Sequence, residues 1–367
     1  MTIYTLLVVL LVAAAILFKG NKKHSKIFII IAFLLLFAVM GLRDVYVTGN
    51  DTSGTFGSYP NFYKRVGATE WTELTGKGEN DYNIGFSYLG KLIYELTNGD
   101  YQLFITIISL FVMISYMWFI YKYSTSPIQS ILCLFGLLYY TLLFDVIKQS
   151  LAMAILLFAF DAIVEKKPVR FVILTVIAAL FHFPAIVFIP AYWIGRMKLG
   201  RKYIITLAVL LLLTYVFRDR LLTLMLNAYG SESTASMEGI RFLRNKVIIM
   251  IGIVLFAVYI KPPARKDTIY NMLLMLSGVA IIFQTFCGYN NIFERLADYY
   301  FHTSIILIPM LFERGGTSPS SLDTEKNRYI LNFIMIAVYA FFIWRFLSMV
   351  NNSANFNQFQ FFWQRTV

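Results

Sequence analysis

YQLFITIISLFVMISYMWFIY, residues 101–121, carries no charged side chain and is apolar on every face. A soluble helix shows a polar face; a helix hydrophobic all round is buried or spans a membrane. At 1.5 Å per residue a run of about 20 residues crosses a hydrocarbon core of roughly 30 Å. Similar runs recur along the chain, and the composition agrees: 59% hydrophobic, 17% aromatic, 14% charged, mean hydropathy +0.67. Soluble domains carry nearer a quarter charged residues. Backbone groups inside lipid must be satisfied within the segment, so these runs predict helices. The expected fold is all-α, a polytopic transmembrane bundle of about 10–12 membrane helices in one integral membrane domain, 1–367.

The candidate spans are 2–18, 26–42, 101–121, 127–144, 150–165, 203–217, 246–261, 268–287, 297–312 and 329–349. Lysines and arginines set their direction, because short cytoplasmic loops accumulate them. Lys19, Lys22, Lys23 and Lys26 place the first loop in the cytoplasm. Alternation then puts Lys122, Lys166/Lys167/Arg170, Lys261/Arg265/Lys266 and Arg314/Lys326/Arg328 inside, and both termini outside. The short outer loops hold only Lys148 and Arg295 as basic residues. The stretch 168–195 is basic at both flanks and broken by Phe181-His182-Phe183-Pro184. Proline disfavours helix in the residue before it, so this stretch reads as a short-helix hairpin with His182 near its tip. Long extracytoplasmic loops are expected at 43–100 and 218–245, and a cytoplasmic linker at 313–328. Segment 2–18 lacks a basic start and reads as a first anchor rather than a cleaved signal. The net charge of +12 belongs to the cytoplasmic loops, and nucleic acid is not an expected partner. Cys133 and Cys287 lie in separate apolar runs and suggest neither a disulfide nor a zinc site.

Ionisable groups at membrane depth are costly and point to function by default. On this topology they gather on one side: Arg43, Asp44 and Asp51 after the second span; Asp145, Lys148 and Gln149 in a short turn; His182; Arg218; and Glu294, Arg295, Asp298 and His302. Glu294, Asp298 and His302 are spaced i, i+4, i+8 and share one helix face, which should meet a partner or a wet cavity. Plainer readings stand beside these. Arg43 can snorkel to the interface, His182 can be a satisfied interior histidine, and the Glu294–His302 face can be an interhelical network. His24 sits in a basic loop, and Asp161 and Glu165 near a helix end are interfacial; none carries a functional expectation. Walker and dinucleotide-binding glycine motifs are absent, so chemistry outside the cytoplasm needs a donor already activated in the membrane.

Gly41-Leu42-Arg43-Asp44 followed by Gly49-Asn50-Asp51-Thr52 and Tyr59 resembles the N-terminal signature of the EpsG family, Wzy-like polymerases of bacterial exopolysaccharide and capsule clusters. Lys148-Gln149-Ser150-Leu151-Ala152, then Phe181-His182-Phe183-Pro184-Ala185 leading to Pro190, and Glu294-Arg295 with Tyr299-Tyr300 are similar to the same family, in order, over roughly 26–312. Lys148 stands where arginine is expected, which keeps the charge but loses the planar fork. The resemblance implies a multi-pass protein of the bacterial cell membrane. It would be a glycosyltransferase joining undecaprenyl-pyrophosphate-linked oligosaccharide repeat units at the extracytoplasmic face. Its partners would be that lipid-linked oligosaccharide, the bilayer, a chain-length regulator and a flippase.

On this reading Arg43, Lys148, Arg218 and Arg295 are candidates to hold the leaving pyrophosphate. Asp51 and Glu294, and after them His182, are candidate bases for the acceptor hydroxyl. Gln149 and Tyr300 would orient sugar hydroxyls, and Tyr59, Phe62 and Trp71 would stack on sugar rings. No cofactor is expected, and the mechanism is read as metal-free. The rival classes are a lipid-linked-sugar flippase or polysaccharide exporter, which predicts polar residues through the midplane, and a membrane acyltransferase working through His182.

Overall fold

The computed structural model describes residues 2–18, 22–49, 52, 58–74, 83–198, 200–229, 245–260, 268–314 and 325–365. In chain order the helices are α1 (Ile3–Leu17), α2 (Lys22–Gly41), α3 (Ser58–Ala68), α4 (Ile84–Leu96), α5 (Tyr101–Tyr123), α6 (Pro127–Gly136), α7 (Tyr139–Asp145), α8 (Ile147–Val164) and α9 (Pro168–Phe181). They continue with α10 (Ala191–Ile194), α11 (Arg201–Tyr229), α12 (Asn245–Ile260), α13 (Thr268–Thr285), α14 (Ile292–Phe301), α15 (Leu307–Arg314), α16 (Glu325–Asn352) and α17 (Ala354–Asn357). Among the described residues the only β pairing is an isolated bridge between Arg43 and Phe361. Among the described residues five helices are long and apolar enough to cross a membrane, six if the bent pair α6–α7 is one span, and α1, α9 and α12 are shorter apolar helices. The fold is the polytopic helical bundle expected from composition.

Local chemistry accounts for the helix ends. Asp100 caps α5 by accepting from the Leu103 amide at 3.0 Å, and α6 and α9 each begin on a proline, whose missing N–H is no loss at the first helical position. Several apolar residues of α11, among them Ile204, Ile205, Leu212 and Val216, stand exposed. Such a row is a liability in water and ordinary in lipid. Between helices lipid gives no hydrophobic drive, so small residues that allow close approach matter instead. Along α8, Ala152, Ala154, Ala159 and Ala162 have no exposure at all.

The chain forms two compact units. The first comprises Met1–Leu74, Ser87–Ala154 and Phe312–Val367; the second comprises Thr75–Phe86 and Ile155–Leu311. In the first, α2 packs on α5, α1 on α2, and α16 on α6. In the second, α13 packs on α11, α12 and α14.

Three spans depart from straight helices. The stretch 127–144 breaks into α6 and α7, bent by 64°, with Leu138 in the left-handed region at φ 62°. The break frees the Gly136 carbonyl, and Arg345 of α16 donates to it. This is how a broken membrane helix is tolerated. Gly136 is required there for a second reason: a Cβ would run into the Phe342 ring. The stretch 168–195 folds back as expected, with Phe171 against Phe188 and Tyr192 at 6.0 and 5.4 Å between ring centroids. His182 is the extended junction, φ −150° and ψ 101°. The span 297–312 is also interrupted, by a 3-10 turn at His302–Ile306.

Two boundaries differ from the sequence reading. The helix expected to end at 217 continues to Tyr229, because Arg218, Asp219 and Arg220 are compatible with helix and need only an exposed face. The loop 43–100 contains α3 and α4, the second covering the amphipathic run expected near 86–96. The linker expected at 313–328 falls mostly on 315–324, outside the described residues.

Gly136→Ala should force the α6–α16 contact apart and cost about 1–3 kcal/mol. The expected outcome is a lower thermal midpoint of the detergent-solubilised protein, read by fluorescence-detected size exclusion.

Candidate active site

In the first unit the polar residues are organised around Arg43, which has no exposed surface. Its guanidinium donates to the carbonyl of Thr48 at 3.3 Å, of Met40, and of Phe144 at 2.8 Å, and to Thr52 Oγ1 at 3.3 Å. It also lies 4.6 Å from the centre of the Phe144 ring. The snorkelling reading is therefore not what the structure displays. Arg43 is turned inward and ties the end of α2 to the turn 44–49, to Thr52 and to the α7–α8 break.

The backbone beside Arg43 is fixed from α5. Gln102 donates to the Arg43 carbonyl at 2.9 Å and accepts from the Val45 amide at 3.3 Å, while the Tyr101 hydroxyl donates to the Thr52 carbonyl at 3.0 Å. Gly49, at φ +114°, lets the turn close: a Cβ there would strike Thr52 Oγ1 and come to 3.0 Å from Asp145 Oδ1. Positive φ is the conformation glycine adopts without penalty.

The α7–α8 break gathers further predicted residues. The Tyr59 hydroxyl accepts from the Lys148 amide at 3.3 Å, and the Lys148 ammonium sits 5.0 Å from the centre of the Phe62 ring. Gln149 is fully buried in the next position. Arg43, Lys148, Gln149 and Tyr59 are thus brought to one region of the first unit. Trp71 lies instead in the turn after α3, its indole donating to Glu95 of α4 at 2.9 Å. Asp51 lies outside the described residues.

The strap 353–365 holds the same turn. Arg365 forks onto Asp44 with bonds of 2.8 and 2.7 Å, and Gln360 adds a third at 3.3 Å. Backbone bonds join the Asp44 amide to the Gln360 carbonyl at 2.8 Å, and the Gly49 amide to the Asn355 carbonyl at 2.9 Å. The bond to Asp44 raises the Arg365 guanidinium above its already high ordinary value, so it stays charged.

In the second unit His182 is buried and its Nδ1 is hydrogen-bonded to the Tyr299 hydroxyl. Asn83 Oδ1 accepts from the Phe183 amide at 3.0 Å, fixing the junction that carries the imidazole. The Tyr300 hydroxyl donates to the Val187 carbonyl at 2.5 Å, so of the two adjacent tyrosines it is Tyr299 that meets the histidine. The Glu294–Asp298 face finds its partner in Lys246 at the start of α12, 2.5 Å from Asp298 Oδ1 and 3.3 Å from Glu294 Oε1. The interhelical-network reading of that face is the one displayed. His302 leaves the face for the 3-10 turn, its Nδ1 3.0 Å from the Asp298 carbonyl.

Arg295 is half-buried on α14. Arg218 lies 4.7 Å from the Tyr215 ring centre and 5.6 Å from that of Tyr289. Tyr289 is bonded to Asp219, which pushes its phenol above the usual value. Sequence reasoning passed over Lys246, Asn83 and Gln102. Lys246 had a signal: a lone lysine at the mouth of an apolar span whose helix offers it no acid. Among the described residues no group of three or more His, Cys, Asp or Glu stands close enough to hold a metal ion.

A model of the EpsG family matches residues 1–361. No curated protein and no solved structure matches the chain.

Asp298 is buried and pairs with Lys246, so Lys246→Met should cost about 3–5 kcal/mol by taking a charged partner from a buried carboxylate. The double variant Lys246→Met/Asp298→Leu should recover most of that loss. Thermal midpoints of the wild type and the two variants in one detergent measure both.

Proposed function

Because the chain belongs to the EpsG family, we propose that it is a polysaccharide polymerase. It joins undecaprenyl-pyrophosphate-linked oligosaccharide repeat units at the extracytoplasmic face of the bacterial cell membrane. The observation that carries this reading is the family match over 1–361, which takes in every candidate group.

The reaction asks for three things. An acceptor hydroxyl oxygen attacks the anomeric carbon of the growing chain and loses its proton to a base. The bond from that carbon to the pyrophosphate oxygen breaks. The leaving group departs as undecaprenyl pyrophosphate, whose gathering negative charge needs fixed cations.

His182 suits the base. The buried Tyr299 phenol orients the ring through Nδ1, and Nε2 is the nitrogen we assign to take the hydroxyl proton. Glu294, with 28% of its side chain exposed and a 3.3 Å contact to Lys246, and Asp51 remain the other two bases. Lys148, Arg218 and Arg295 are the cations we assign to the pyrophosphate. Gln149, Tyr59 and Tyr300 we assign to the sugars, Tyr300 through its ring because its hydroxyl is already bonded. Arg43 we assign a positioning role: its donors are directed to the protein's own carbonyls, and it holds the turn 44–49.

The test is polymerisation by purified protein in nanodiscs supplied with the lipid-linked repeat unit of its own gene cluster, resolved by gel and mass spectrometry. A ladder of whole repeat units is expected. His182→Gln should slow its growth by roughly a hundredfold or more, and Arg295→Ala and Lys148→Ala should weaken it with the thermal midpoint retained. Intact substrate with a well-folded, substrate-binding protein would remove the polymerase reading and leave transport.

A further inference from the structure

The strap that latches onto Asp44 presents a surface that no role above uses. Residues 351–365, NNSANFNQFQFFWQR, contain seven amide side chains and five aromatic ones, no acid, and a single cation, Arg365. That cation is spent on Asp44 and on the Tyr46 ring, 4.3 Å away. Trp363 is 58% exposed and Phe362 41%.

Trp363 is held as a slab. Phe361 stacks beneath it, with ring centroids 4.5 Å apart and planes within 6°, and Phe362 packs edge-on at 5.0 Å. Phe361 in turn bridges to Arg43, the Phe362 amide donates to the Leu42 carbonyl at 3.1 Å, and the Phe361 amide is closed by Gln364 at 2.8 Å. One face of the indole is therefore covered and the other is offered outward on a fixed backbone. Asn357 and Gln358 stand exposed on the same segment.

We propose that this strap is a glycan-binding platform, on which a neutral pyranose ring of the repeat unit stacks against the outer face of Trp363 while strap amides bond its hydroxyls. A pyranose has an apolar face of axial C–H groups and a rim of hydroxyls. It needs a flat aromatic surface and groups that both donate and accept, as amides do. Preorganisation matters as much as contact, because a platform already ordered loses little entropy on binding. Lipid is the other material that covers exposed tryptophan at membrane ends. The strap is broken into α17 and a 3-10 turn at Phe362–Gln364 and exposes the amides of Asn357 and Gln358, which hydrocarbon does not tolerate and which have no counterpart in acyl chains. The proposal rests on the polymerase reading, naming a subsite for the same sugars.

The test uses full-length protein labelled with 5-fluorotryptophan in nanodiscs. The five tryptophans give five fluorine resonances, and Trp363→Phe identifies the one from the strap. Soluble oligosaccharide released by partial acid hydrolysis of the producing cell's own polysaccharide should shift that resonance selectively. Nitroxide-labelled acyl chains should leave it sharp. In turnover, Trp363→Ala should raise KM for the lipid-linked unit roughly tenfold, the scale of one lost stacking contact, and Trp363→Phe should restore most of it. Broadening by nitroxide lipid without a glycan response would make the strap an interfacial anchor and overturn the platform, as would a resonance indifferent to both. Glycan binding without polymer formation would retain the platform and remove the polymerase reading. Polymer formation with an unaltered KM in Trp363→Ala would remove the platform alone.

Discussion

A guanidinium costs several kcal/mol to take out of water, and Arg43 is taken out completely. It is kept there by carbonyls from both sides of its own turn and from Phe144, about a hundred residues later in the chain. Two of the acceptors are backbone groups left over where a helix stops: Met40 in the last turn of α2, and Phe144 in the last turn of α7. Helix ends leave carbonyls unsatisfied, and within a membrane no water is at hand to relieve them. The charge and the broken helices thus solve each other's problem, and the residues proposed to handle substrate in the first unit hang on that exchange.

The same logic recurs wherever a span is interrupted. Arg345 supplies the Gly136 carbonyl that the α6–α7 bend releases. Asn83 takes the Phe183 amide at the junction that exposes His182 to Tyr299. Lys246 answers Asp298 just before α14 gives way to the 3-10 turn. In every case a polar side chain from a neighbouring element completes a backbone or a charge that a straight apolar helix would never have exposed. Irregularity at membrane depth persists where it is buried in protein.

Apolar run length made most of the helices readable from the sequence, since few structures satisfy their own backbone in lipid. Pro184 made the His182 junction readable for the same local reason. The α6–α7 bend was not, because no proline marks it and its cause lies in Phe342 and Arg345, two hundred residues away. Arg218-Asp219-Arg220 looked like the end of a helix and is not one, since charge ends a span without ending a helix. Arg43 was recognised as unusual, but an isolated arginine does not reveal whether its donors face substrate or carbonyls. Spacing showed that Glu294 and Asp298 share a face; that Lys246 waits opposite required the packing of α12 beside α13 and α14.

The bond between Asp44 and Arg365 joins residues 321 apart in sequence. At roughly 5–20 residues per second of synthesis, Asp44 leaves the ribosome about sixteen seconds to a minute before its partner exists. The second unit, Thr75–Phe86 with Ile155–Leu311, is made entirely within that interval. During biogenesis the turn 42–49 must therefore enter the membrane unlatched, with its carboxylate waiting in a half-built first unit. The order of manufacture makes the strap at 353–365 the act that closes the turn at 42–49.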